Sequence, residues 1–75
     1  MSDYIVKLLW DAEAAVWIAT SDDIHGLVLE SGSLDALIER VRFAVPELLM
    51  LNGGSQQILS MRFISERRET VRVNG

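Results

Sequence analysis

The sequence predicts an α+β domain with its elements in the order β-β-β-α-β. Two runs of β-branched and aromatic residues, YIVKLLW at 4–10 and AVWIAT at 15–20, are separated by four residues, the spacing of an antiparallel hairpin. The stretch from Leu34 to Leu51 repeats apolar residues at intervals of three and four, the period of a helix with one buried face. After it, QILSMRFI at 57–64 alternates as a half-buried strand does.

In the first strand, Tyr4–Trp10, one face holds Val6, Leu8 and Trp10 and the other holds Ile5 and Leu9. A strand apolar on both sides expects cover on both sides. The link Asp11–Ala14 is a polar turn without an Asn-Gly signal. Ala15–Thr20 is the second strand. SDDIHG follows at 21–26, with Asp22 and Asp23 just ahead of His25, the only histidine. Ser and Asp side chains bond nearby backbone N–H groups and Gly26 accepts positive φ, so turn chemistry explains the stretch. A metal site needs three or four converging ligands, and no other His or Cys exists to supply nitrogen or sulfur. An oxygen-ligand Mg²⁺ site at Asp22 and Asp23 is the alternative. The turn is the preferred reading, with no metal and no cofactor.

Leu27–Glu30 is a third strand, broken by SGS. Ser33 is suited to cap a helix, and Asp35 sits at the positive end of its dipole. The capping box is incomplete, because Ala36 stands where Glu or Gln usually does. Leu34, Leu37, Ile38, Val41, Val45, Leu48 and Leu49 form the apolar stripe. Pro46 lacks an N–H and predicts a kink or a restart. Asn52-Gly53-Gly54 ends the helix. In the fourth strand Leu59, Met61 and Phe63 share one face. SERRE is a polar turn, and TVRV at 70–73 is a candidate fifth, short edge strand.

Seventy-five residues make one domain, 1–75, too small to bury much surface without dense packing or self-association. No cysteine is present, and 49% of the residues are apolar, which favours a folded core over disorder. No apolar run reaches the roughly 18 residues of a membrane span. The start resembles no signal peptide, so the expected location is cytoplasmic. Charge is uneven within a net −4: residues 1–39 hold eight acids against Lys7, whereas residues 40–75 hold six arginines against Glu47, Glu66 and Glu69.

LLWDAEAAVWIATSDDIHGLVLESGSLDALIERVRFAVPELLMLNG is similar to the small HicB-like antitoxin family, in particular to a stand-alone branch of it. The shared pattern is a strand ending in Asp, a Glu two residues on, and a second strand with an aromatic. A polar turn ending in Gly follows, then a short strand, a Ser or Thr cap and an apolar helix. Pro46–Leu49 with Leu51 and Asn52 matches the PELL…LN segment of that branch. Where the family usually has proline before the glycine, this chain has His25, which supports the turn reading. The resemblance implies a partial ribonuclease-H-like fold: an antiparallel three-stranded meander, one helix packed on one face, and a further strand joining the sheet. Full HicB proteins add a DNA-binding segment and neutralise HicA, a small RNA-cleaving toxin. No separate DNA-binding domain is expected here.

Catalysis is not expected. A two-metal nuclease needs converging carboxylates, and the candidates Asp11 and Glu39 have no partner acid within QILSMRFI. There is no Cys, and no Ser stands in a nucleophile elbow. Trp10 and Trp17 are core residues first and interface anchors second. The expected function is a non-catalytic interaction module of antitoxin type. Asp11, Glu13, Asp22 and Asp23 would meet a small basic HicA-like toxin and mask its RNA-binding surface. A homo-oligomer, a dimer first, would cover the second sheet face or an edge strand. The alternative is nucleic-acid binding through Arg62, Arg67, Arg68 and Arg72. It is disfavoured by the chain's acidity and by the scarcity of aromatics in that half.

Overall fold

A computed structural model describes residues 3–54 and 58–74. It contains β1 (Tyr4–Asp11), β2 (Val16–Thr20), β3 (Val28–Ser31), α1 (Leu34–Leu51) and β4 (Met61–Glu66). The sheet order is β3-β2-β1-β4. β1 pairs antiparallel with β2, and β2 with β3, so the first three strands are a meander. β4 pairs parallel to β1, Tyr4 opposite Met61 through Leu9 opposite Glu66. The parallel pairing follows from α1, which carries the chain from the far end of β3 back to the level where β1 starts.

One sheet face meets α1. Val6 and Leu8 of β1 and Ala19 of β2 are buried there with Leu37, Val41 and Val45 of the helix. Ile24 and Leu27, from the loop before β3, complete this core. Leu34, Ile38, Leu48 and Leu49 pack at its margin. The apolar stripe of the sequence is therefore the buried face of the helix.

Ser33 caps the helix, its Oγ accepting from the Ala36 N–H at 3.2 Å. At the other end the Gly53 N–H donates to the Met50 carbonyl and the Gly54 N–H to the Leu49 carbonyl. With Gly53 at φ +86°, this is a Schellman ending. Pro46 does not interrupt α1, which runs unbroken from Leu34 to Leu51, contrary to the expected restart. Its ring lies on the exposed side, where solvent can reach the Arg42 carbonyl that loses its usual donor.

Every strand has a limit that differs from expectation: β2 begins one residue later, at Val16, and β3 is shifted by one, to Val28–Ser31. β1 runs on to Asp11, because Asp11 still pairs with Val16. β4 spans Met61–Glu66, so its end carries an acid that QILSMRFI lacked; the expected start at Gln57 lies outside the described residues. TVRV forms no fifth strand: residues 70–73 have no ladder partner.

Ala15 adopts φ 55° at the exit of the first hairpin, in the left-handed region. A side chain there costs roughly 1 kcal/mol. Ala15→Gly is accordingly expected to raise the unfolding free energy by about 1 kcal/mol. A shift of the urea midpoint to higher denaturant at constant slope checks it, and a lower midpoint refutes it.

Candidate functional site: the open sheet face

The sheet has one face without a helix. Strand alternation places Ile5, Lys7, Leu9 and Asp11 on it from β1, and Val16, Ile18 and Thr20 from β2. β3 adds Val28 and Glu30, and β4 adds Arg62, Ile64 and Glu66. Leu9 lies opposite Ile18, and Ile64 opposite Lys7. Leu9 is 45%, Ile64 44% and Val28 71% exposed, so the centre of this face is apolar and wet. Asp11, Glu30 and Glu66 stand around it at the strand ends nearest the hairpin. Asp22 approaches from the opposite end, its carboxylate 3.6 Å from the Lys7 ammonium.

The SDDIHG stretch is a turn tied to this sheet. β2 stops at Thr20, whose partner is Lys7, so Ile5 lies beyond its end. Ser21 and Asp23 take over where the ladder stops. The Ile5 N–H donates to Asp23 Oδ2 at 2.8 Å, and Ser21 Oγ donates to the Ile5 carbonyl at 2.6 Å. Ser21 Oγ also accepts from the Asp23 N–H at 3.0 Å. Both polar groups of the Ile5 backbone are satisfied in this way. Gly26 has φ +88°. The His25 carbonyl accepts from Asn52 Nδ2 at 3.3 Å, joining the turn to the end of α1. Among the described residues no three His, Cys, Asp or Glu side chains are grouped as a metal site.

The four acids expected to meet a partner are not one patch. Asp11 Oδ1 accepts from the Glu13 and Ala14 N–H groups at 3.0 and 3.3 Å, which shapes the first hairpin turn. Glu13 projects from that turn into solvent. Asp22 and Asp23 lie at the other end of β1, beside Ile5, about 20 Å away at the rise of a strand. Asp11 and Asp23 are engaged by backbone groups, leaving Glu13 and Asp22 as the freer charges. Glu39, the other nuclease candidate, is on α1 and accepts from Arg42 at 3.0 Å. Glu66 shares the open face with Asp11, whereas Glu39 belongs to the helix layer on the other side of the sheet.

The four arginines of the alternative reading are likewise divided. Arg62 lies opposite Ile5 on β1 and, by alternation, on the open face. Arg67 turns to the helix-facing side, its Cζ 4.0 Å from the centroid of the Trp10 ring and 5.9 Å from that of Trp17. Its Nε donates to Glu69 at 2.7 Å. Trp10 and Trp17 face each other across the hairpin, ring centroids 5.4 Å apart and tilted by 60°. Both are half-buried, and Trp17 packs against the core. This Trp–Trp–Arg stack was not anticipated as a unit. The short hairpin link gave the signal, since it brings residues 10 and 17 opposite each other.

A second apolar surface lies between β3 and α1, an open groove of about 310 Å³ lined by Leu29, Arg40, Phe43, Ala44 and Glu47. Arg40 Nη1 donates to the Glu30 carbonyl at 2.7 Å and so covers part of the β3 backbone.

These features define a small single-helix α+β module whose main uncovered surface is a sheet face with apolar residues at its centre, acids at its hairpin end and Lys7 and Arg62 toward the other end. The chain belongs to the family described as Domain of unknown function (DUF1902), whose model matches residues 3–75. It is similar to the crystal structure of the hypothetical protein TTHA1013 from the extremely thermophilic bacterium Thermus thermophilus. The two share 36% identity at a TM-score of 0.73, over 96% of this chain and 100% of that one. No curated protein matches the chain. No helix among the described residues is long and apolar enough to cross a membrane.

Proposed function

We propose that this protein is a non-catalytic interaction module of the HicB-like antitoxin type. It binds a small basic RNA-cleaving protein through the open sheet face and masks that protein's RNA-binding surface. The observation that carries this reading is the composition of the face itself. Leu9, Ile18, Ile64 and Val28 offer apolar contact area, while Asp11, Glu30 and Glu66 give its hairpin end a negative margin. Apolar area supplies affinity when a partner excludes water, and the margin steers a basic partner toward it. The meander, helix and returning strand are the arrangement expected of a HicB-like chain, and they add support at the level of fold.

The test is co-expression with HicA-like RNA-cleaving proteins encoded in the same genome. Growth is expected to recover, and a stoichiometric complex to elute in gel filtration. Leu9→Glu, which puts a charge in the apolar centre, is expected to weaken that complex at least tenfold while the circular dichroism spectrum is retained. The double variant Glu13→Gln, Asp22→Asn is expected to slow association and flatten its salt dependence without disturbing either turn. Absence of both protection and complex would refute the antitoxin reading.

A further inference from the structure

We infer that β4 and the segment after it form a self-pairing edge: residues 69–73 of one copy add as a strand to the outer edge of β4 in a second copy, and reciprocally. This inference concerns a different surface from the open face and stands whether or not a toxin is bound.

The shape of the chain gives the first argument. Its radius of gyration is 14.9 Å and its longest extent 58 Å. A compact chain of this length has a radius near 11 Å. Beyond β4, residues 67–74 are all exposed and without regular structure. They carry Val71 and Val73, 76% and 89% exposed, beside Thr70. β-branched residues at alternate places suit a strand, and an isolated arm gives them nothing to pack on.

Side-chain alternation gives the second. Met61 and Phe63 of β4 point to the helix side and pack at the core. Arg67 reaches Trp10 on that same side and pairs with Glu69, so the alternation of β4 carries on past its end. The same parity places Val71 and Val73 with Met61 and Phe63. The arm is a continuation of β4 in pattern, lacking only a neighbour.

The available edges give the third. β3 and β4 are the two edge strands. Arg40 covers the Glu30 carbonyl of β3, whereas among the described residues no side chain bonds to the β4 backbone. An uncapped edge is a template for another strand. Because the arm leaves from that edge, a two-fold axis near its start lets each arm run back along the other copy's β4. The sheets then join into one.

Parity, charge and apolar pairing together select the register. An antiparallel pairing centred on Arg68 sets Arg67 opposite Glu69, Val71 opposite Ser65 and Val73 opposite Phe63 of the second copy. One like pair remains, Arg68 with itself at the axis. Sliding by one residue in either direction sets residues of opposite parity against each other, so their side chains would point to opposite faces of the sheet. Sliding by two in one direction sets Arg62 opposite Arg72 and Arg67 opposite itself; in the other it sets Glu69 opposite itself and moves Val73 from Phe63 to Ser65. Like charges directly opposite each other destabilise a ladder.

Sedimentation of the full chain at micromolar concentration, with three variants, tests the inference. The unaltered chain is expected to sediment as a dimer. Val71→Pro combined with Val73→Pro removes two N–H donors from the exposed arm, and is expected to raise the dissociation constant at least tenfold with an unchanged circular dichroism spectrum. The chain has no cysteine, so Arg68→Cys provides a single thiol at the axis. Opposed Cα atoms there lie roughly 4.5–5.5 Å apart, within disulfide range. Arg68→Cys is expected to cross-link into dimers under mild oxidation, well ahead of Val28→Cys on the opposite edge. A monomeric unaltered chain would overturn the inference, as would a dimer indifferent to the two prolines. Equal cross-linking of the two cysteine variants would also overturn it.

Discussion

Ile24→Ala is expected to lower the unfolding free energy by about 3 kcal/mol, although Ile24 lies in a polar loop. The side chain is fully buried. It belongs to the same core as Val6, Leu8, Leu37 and Val41. Neighbouring bonds hold the loop in place: Asp23 and Ser21 engage the Ile5 backbone, and Asn52 engages the His25 carbonyl. With the loop pinned on both sides, the space left by the missing carbons closes only in part, and the cavity term adds to the lost burial. For a domain this small the loss is a large share of total stability. Urea unfolding at constant slope reads the change. A loss below about 1 kcal/mol would mean that the loop collapses onto the core and that its bonds to β1 are not holding it.

Ala19→Leu tests the opposite fault and is expected to cost about 2 kcal/mol through overpacking. Ala19 is fully buried on β2, between Leu8 of β1 and Leu29 of β3 in the register. Its small side chain lets α1 lie close over the meander, where Leu37 and Val41 join the same core. Three further carbons have no space unless the helix lifts or a neighbour leaves its rotamer. A thermal melt of the variant beside Ala19→Gly separates the causes. Ala19→Leu should lose stability through strain, and Ala19→Gly through lost burial and a looser strand. Unchanged stability in Ala19→Leu would show that the helix stands off the sheet.

The outcome at SDDIHG shows how far local chemistry can be read. Ser, Asp and Gly types predicted a turn, and a turn is what forms. The same residue types do not indicate that Asp23 and Ser21 would finish the β1 ladder, because that depends on where β2 stops. Ile24 belongs to the core for the same reason: one apolar residue in a polar stretch has no period to reveal it. The candidate acids illustrate the limit from the other side. Counting charge put Asp11, Glu13, Asp22 and Asp23 in one group, but the hairpin and the loop after β2 lie at opposite ends of β1. The open face was foreseen from the two-sided apolar pattern of β1. Its membership was not, because Ile64 and Glu66 join it only through the pairing of β4.

By itself the sequence determined the order and kind of the elements, the caps of α1 and the residues of its buried stripe. Each depends on residues a few places apart, where period, φ preference and free N–H groups act directly. Only the tertiary structure decided that β4 lies parallel beside β1, that α1 continues through Pro46, that Arg67 stacks on Trp10, and that TVRV is left without a strand partner. Those outcomes depend on contacts between distant parts of the chain, whose energies no local pattern contains.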